Sequence, residues 1–188
     1  MDQYIEAGAK LSKCESYRYL LWREWRGTHD PKNWRWLGAK DGSGAPLGEP
    51  KACVFIMLNP STADGAQDDP TIRRCVGFAK AWGYERLEVV NLFAYRATQP
   101  AVILAMDYMA DPVGPDNRDH VQNAVLDAGK IICAWGAHGG HLGQDETTLG
   151  WCGNRLIYSL GLTAKGHPKH PLYLPSTAQP ILHTRGTA

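Results

Sequence analysis

The stretch that most constrains the fold is Ala52 to Leu58, ACVFIML, an unbroken apolar run with β-branched and aromatic members. Such a run reads as a strand buried on both faces, the kind that lies in the middle of a parallel sheet. Asn59-Pro60 stops it. Proline lacks the N–H a ladder needs and disfavours helix in the residue before it, so Asn59 is held extended at the strand tip. Small and polar residues follow, and then Asp69-Pro70-Thr71 opens a helix, with Asp69 as N-cap and Pro70 at the first helical position. A polar side chain at the C-terminal tip of a central parallel strand stands where open α/β sheets bind ligands. Asn59 is therefore the first candidate site residue; the competing reading is a plain strand-ending Asn-Pro turn.

The rest of the chain alternates in the same way. Pro70 to Trp82 predicts a helix with Ile72, Cys75, Val76 and Ala79 as its buried stripe, ended by Gly83. Leu87 to Phe93 predicts a second buried strand that carries a polar amide, Asn91, among apolar neighbours. A buried amide must find partners or costs a few kcal/mol, so Asn91 either serves a neighbouring loop or meets a ligand. Pro100 to Met109 and Arg118 to Ala128 predict helices, Lys130 to Trp135 a third buried strand, Thr147 to Ser159 a helix and Leu160 to Leu162 the start of a short strand. Gly166 to Pro175 is a proline-punctuated loop, and 176–188 a tail. Before the core, Cys14 to Trp25 fits helical spacing better than strand spacing, and Asn33 to Leu37 alternates as an edge strand. Residues 1–50, with arginines interleaved among tryptophans, are expected to cover the core as part of the same domain; the competing reading is contact with nucleic acid, arginines on phosphates and aromatic faces on bases. The fold expected of residues 51–175 is α/β: three layers, α/β/α, around a central, mostly parallel, four-stranded sheet. In such a sheet the loops after the strands open on one edge.

With 188 residues and 44% hydrophobic content, the chain fits one domain with a full core. Lys+Arg 20 against Asp+Glu 19 argues against a protein that wraps nucleic acid by bulk charge, while leaving a local basic surface open. The five cysteines contain no Cys-x-x-Cys pair, so neither a zinc site nor a disulfide framework is suggested; Cys53, Cys75 and Cys133 read as core thiols. No signal peptide and no membrane-length apolar run is visible, which predicts a soluble, cytosolic chain; it is expected to be a monomer.

Four segments, in order, resemble the motifs of the uracil-DNA glycosylase superfamily. Met57-Leu58-Asn59-Pro60 is similar to its Gly-x-(Asp/Asn)-Pro strand end, with methionine in place of glycine. Val90 to Arg96, VNLFAYR, is similar to its base-reading strand, Ala134 to His138, AWGAH, to its third strand end, and His170-Pro171-Leu172-Tyr173 to its His-Pro-Ser loop, without the serine. The fuller string LNPSTAD, DDPTIRRC, NLFAYRAT and DPVGP also resembles a bacterial and phage family of unknown function.

The superfamily resemblance implies a glycosylase that extrudes a base from a DNA duplex and hydrolyses its glycosidic bond without a cofactor. Some members carry an iron–sulfur cluster on four cysteines, a spacing this chain lacks. In the catalytic roles it places Asn59, positioning the water, and His170, stabilising charge at the base O2; Asp64, or its neighbours Asp68 and Asp69, is the candidate base. His167, His138 and His141 compete with His170. Asn91 would read the base edge, Phe93 or Tyr95 would stack on it, and Ser61, where uracil-specific members have tyrosine, would leave room for a substituent at C5. Leu174 would be the wedge that fills the vacated stack, and Arg96, Lys169, Lys165 and His138 would face the DNA. The pathway implied is repair, or restriction of modified phage DNA. Two other readings use the same residues: a non-catalytic sensor of modified bases, and an enzyme that processes free nucleosides or nucleotides.

Overall fold

A computed structural model of the chain describes residues 4–25, 52–61, 63 and 65–184. The edge strand expected over Asn33 to Leu37 and the candidate base Asp64 lie outside the described residues. Seven strands form one sheet: β1 (Glu6–Leu11), β2 (Arg18–Glu24), β3 (Cys53–Met57), β4 (Arg86–Asn91), β5 (Lys130–Cys133), β6 (Ile157–Ser159) and β7 (Ile181–Leu182), in the order β1-β2-β4-β3-β5-β6-β7. The helices are α1 (Pro70–Ala81), α2 (Pro100–Leu104), α3 (Asn117–Leu126) and α4 (Gln144–Trp151).

The apolar run becomes β3, every residue of it buried, with parallel partners β4 and β5 on its two sides. Met57 pairs with Asn91 and Ile56 with Cys133, so the three strands end level and their exit loops share one edge. Alternate residues of β3 feed two cores. Val54 and Ile56 pack with Val121 and Val125 of α3, while Cys53, Phe55 and Met57 pack with Ile72, Val76 and Phe78 of α1. Helix α1 starts where the sequence predicts: the Asp69 side chain accepts from the Ile72 N–H at 2.8 Å, and Pro70 follows it.

The sheet corrects the expected four-stranded, mostly parallel architecture: among the described residues it has seven strands, and it is mixed. Strands β4, β3, β5 and β6 run parallel, but β2 adds antiparallel to β4, β1 to β2, and β7 to β6. Cys14 to Trp25, expected as a helix, is the turn and second strand of the β1–β2 hairpin. The tail supplies β7, and the helix expected to reach Ser159 stops at Trp151, with β6 beginning six residues later at Ile157. Two arginines on β2 explain why the hairpin is hard to read. Arg18 and Arg23 are almost wholly buried, where an alternating pattern would place apolar residues. Arg23 is tolerated because its Nε meets the Asp68 carboxylate at 2.7 Å and its Nη1 donates to the Trp22 carbonyl at 2.7 Å. Buried charges require such pairing. The pair also ties the segment before α1 to β2.

All five cysteines are free thiols, and four are buried. Burial pushes the Cys53 and Cys75 thiols up. Cys14 is exposed in the β1–β2 turn, and hydrogen bonds from Ser12 and Ser16 lower it from 9.0 to about 7. Alkylation of the native protein is expected to label Cys14 alone, with a rate that reaches half its maximum near pH 7; mass spectrometry after timed iodoacetamide pulses checks it. A half-maximum near pH 9 would show that the serines do not stabilise the thiolate.

Candidate functional site

The exit loops of β3, β4 and β5 surround a cavity of about 470 Å³, closed on the far sides by the start of α1 and by the His170–Tyr173 turn. A crevice outside the carboxyl ends of parallel strands is the expected position for a ligand site. Asn59, Ser61, Asn91, His138 and His170, which are widely separated in sequence, all line it.

Asn59 is fixed from behind. Its Nδ2 donates to the Pro60 carbonyl at 3.0 Å and to the Ala97 carbonyl at 2.7 Å, while the Ala97 N–H returns a bond to the Pro60 carbonyl at 3.0 Å. Both amide hydrogens are committed, so Oδ1 is left as an acceptor for whatever enters. Such a group orients a water or a donor; an amide is too weak a base to take a proton.

Asn91 is held differently. It is 1% exposed, and neither its Nδ2 nor its Oδ1 has a hydrogen-bond partner among the described residues. A polar pair left unsatisfied in a core costs about 1–3 kcal/mol per group, so its presence calls for an explanation. The amide lines the cavity, and it offers a donor and an acceptor side by side. Its backbone is secured by Asn117 of α3, whose Nδ2 donates to the carbonyls of Asn91 at 3.0 Å and Leu92 at 3.2 Å. Asn117 reads as a helix cap in sequence, but its side chain is fully buried and locks the end of β4. The indole Nε1 of Trp135, also on the cavity wall, is another buried donor with no partner among the described residues.

The third wall depends on glycine. Gly136 has φ +78, and its N–H donates to the Pro168 carbonyl at 2.9 Å, which fastens the histidine loop to the end of β5. A Cβ on Gly139 would stand 2.1 Å from the Trp135 ring, so the turn closes over the indole only with glycine there. On this loop the His170 Nδ1 accepts from the Leu172 N–H at 3.3 Å. The neutral ring then carries its hydrogen on Nε2, as a donor. Burial lowers the His170 pKa from 6.5, and the nearby Asp69 carboxylate opposes that only in part, so the ring is neutral at pH 7. Asp69 also lines the cavity. One of its oxygens caps α1, which leaves the other for the site.

Burial depresses His120 and His183 as well, against the opposing pull of Asp116 and Asp145 respectively. Between the lowered folded values and 6.5 the unfolded chain binds more protons than the native one. The three rings therefore contribute stability in full above pH 6.5 and lose it as pH falls from there through the folded values. Urea midpoints at pH 7.5, 6.5 and 5.5 are expected to fall slightly between the first two and more steeply to the third.

Other expected site residues lie elsewhere. Phe93 is fully buried in the core, packed near His141, and is not on the cavity wall. Asp68 is engaged by Arg23 and Tyr4. His167 faces Asp145 at 3.7 Å, and the His141 Nε2 lies 3.0 Å from the Met106 carbonyl. Lys169 is exposed and is not part of the wall. Tyr95 and Arg96 line a second depression that adjoins the cavity at Ser61. Leu174, expected as a wedge, packs against the core, while its neighbour Tyr173 lines the cavity and is 85% exposed. Of the three carboxylates expected as candidate bases, Asp69 is the one on the cavity wall among the described residues, and the Trp135 of the AWGAH segment lines it too; Tyr173 is the addition, because an aromatic beside a histidine motif carries no periodic signal.

Among the described residues, no group of three or more His, Cys, Asp or Glu is placed to hold a metal ion, and no helix is long and apolar enough to cross a membrane.

The fold is α/β, with a crevice lined by polar and apolar residues at the edge of its parallel strands. A model of the family described as "Protein of unknown function (DUF1643)" matches residues 18–172, and the chain belongs to that family. Neither the curated proteins nor the solved structures contain a significant match to it.

Proposed function

We propose that the protein is a monofunctional DNA glycosylase that acts on a flipped, modified or mismatched pyrimidine. The observation that carries the reading is Asn91: a buried amide with donor and acceptor unpaired, on the wall of a cavity of about 470 Å³. A pyrimidine edge presents the complementary acceptor and donor, and its binding would satisfy both groups of the Asn91 amide. The ordered segments that resemble motifs of the uracil-DNA glycosylase superfamily support the same reading.

The chemistry follows from the donors and acceptors present. The bond from C1′ of the sugar to the base nitrogen breaks, and its electron pair leaves on the base. Positive charge develops on the sugar and negative charge at the base O2. The Nε2–H of a neutral His170 stabilises the latter. Asn59 Oδ1 orients a water, whose oxygen bonds to C1′ and whose proton passes to the free oxygen of Asp69. Tyr173, exposed at the mouth, can fill the gap in the base stack.

Asp69 holds two roles that substitution separates. Asp69→Asn keeps a capping acceptor, so stability is expected to change by less than about 0.5 kcal/mol, while base release falls roughly 100-fold. Asp69→Ala is expected to lose the same activity and a further ~1 kcal/mol of stability. Denaturant midpoints and single-turnover base release distinguish the two.

The near-neutral charge balance favours one second reading, turnover of free nucleosides through the same cavity. Duplexes bearing uracil, mismatched thymine and C5-modified cytosines, treated with alkali after incubation, test the first reading; chromatography of free nucleosides tests the second. Abasic product from a duplex supports the glycosylase. Release from free nucleosides without it supports the alternative, and no release in either assay removes both.

A further inference from the structure

Ser61 stands between two cavities. It lines the one that holds Asn91 and also a second depression of about 450 Å³, and Ala97 and Thr98 are shared with it. The walls particular to the second are Glu15, Ser16, Tyr95 and Arg96. The depression is built rather than incidental. The Arg96 N–H donates to the Ser16 carbonyl at 2.9 Å, and Arg96 Nη1 to the Glu15 carbonyl at 3.1 Å, so the β1–β2 turn is clamped to the exit of β4. Tyr17 and Tyr95 meet both as a backbone bridge and edge to face, with ring centroids 5.7 Å apart.

We infer that this depression is a subsite for a polyhydroxylated substituent on C5 of the base, a sugar-like group that passes Ser61 and leaves the pyrimidine in the first cavity. The inference rests on the glycosylase reading and names its substrate class. The lining matches that chemistry. A carboxylate, a guanidinium and the hydroxyls of Ser16, Ser61, Tyr95 and Thr98 offer donors and acceptors in mixed array, as hydroxyl groups require. A phosphate is disfavoured, because the single cation of the lining shares it with the Glu15 carboxylate. Tyr95 supplies an aromatic wall for an apolar sugar face.

The test measures binding and base release separately, on duplexes carrying one cytosine whose C5 bears methyl or a glucosylated hydroxymethyl group. The wild type is expected to bind the glucosylated duplex about tenfold more tightly than the methylated one. Ser16→Tyr, which fills the depression, is expected to erase that preference and to leave affinity for the methylated duplex within about twofold. Equal wild-type affinity for the two duplexes, or weaker binding of the glucosylated one, overturns the subsite whether or not Ser16→Tyr folds. An equal loss on both duplexes in Arg96→Ala, with the wild type showing no preference, marks a backbone phosphate contact and also overturns it. Binding preference without base release from either duplex upholds the subsite and removes the glycosylase reading for C5-substituted cytosines; release from the methylated duplex alone upholds that reading and removes the subsite.

Discussion

Asn91→Leu is expected to give a more stable protein that does nothing. Leucine nearly matches asparagine in shape and brings no polar atom. The wild-type amide has no partner for either end among the described residues, so its removal relieves an unsatisfied donor and acceptor. The expected gain is roughly 1–2 kcal/mol, read from urea midpoints. Ligand binding and base release should fall at least 100-fold, because a site built to pair a base edge rejects it strongly once its polar groups are gone, by about the factor seen when such a bond is removed. Stability bought at the expense of function is the usual signature of a strained or unsatisfied site. If Asn91→Leu instead unfolds at lower urea, the amide is a structural element, and the cavity loses its reader.

His170→Ala is expected to lower the single-turnover rate about 100- to 1000-fold, with little change in substrate affinity, because one preorganised donor to a developing anion is worth that much. The site geometry gives the sign. The His170 Nδ1 accepts from the Leu172 N–H, which fixes Nε2 as the donor, and burial holds the ring neutral. His170→Gln, which retains an N–H at similar reach, should recover part of the rate. A drop in affinity with an unchanged rate would mean that the ring only shapes the pocket wall.

Much of the inner architecture is legible in the sequence because buried parallel strands are written as continuous apolar runs. Ala52 to Leu58 contains β3, Leu87 to Phe93 overlaps β4 and Lys130 to Trp135 contains β5. The polar residues that interrupt such runs are legible for the same reason: Asn59 at a strand tip and Asn91 within a strand have no place in an apolar core, and both line the cavity. The outer strands are not legible. β2 buries Arg18 and Arg23, whose charges are compensated by groups far away in the chain, so its alternation is masked. β6 and β7 are three and two residues long, and edge pairing by backbone needs no side-chain pattern. The irregular loop from Gly166 to Pro175 has no period, so sequence could find the histidine but could not choose between Tyr173 and Leu174 at the mouth. Phe93 shows the opposite limit: an aromatic after a polar strand residue fits a stacking role or a core equally, and the fold buries it.

The central claim is that one cavity brings a base-reading amide, a water-orienting amide and a neutral imidazole to the same pyrimidine. A panel of duplexes with uracil, mismatched thymine and C5-substituted cytosines, incubated with wild type and with Asn91→Leu and cleaved at abasic sites, measures it most directly. The account predicts abasic product on at least one base with wild type and none with Asn91→Leu. Equal product from both proteins, or no product from the wild type on any base, would contradict it.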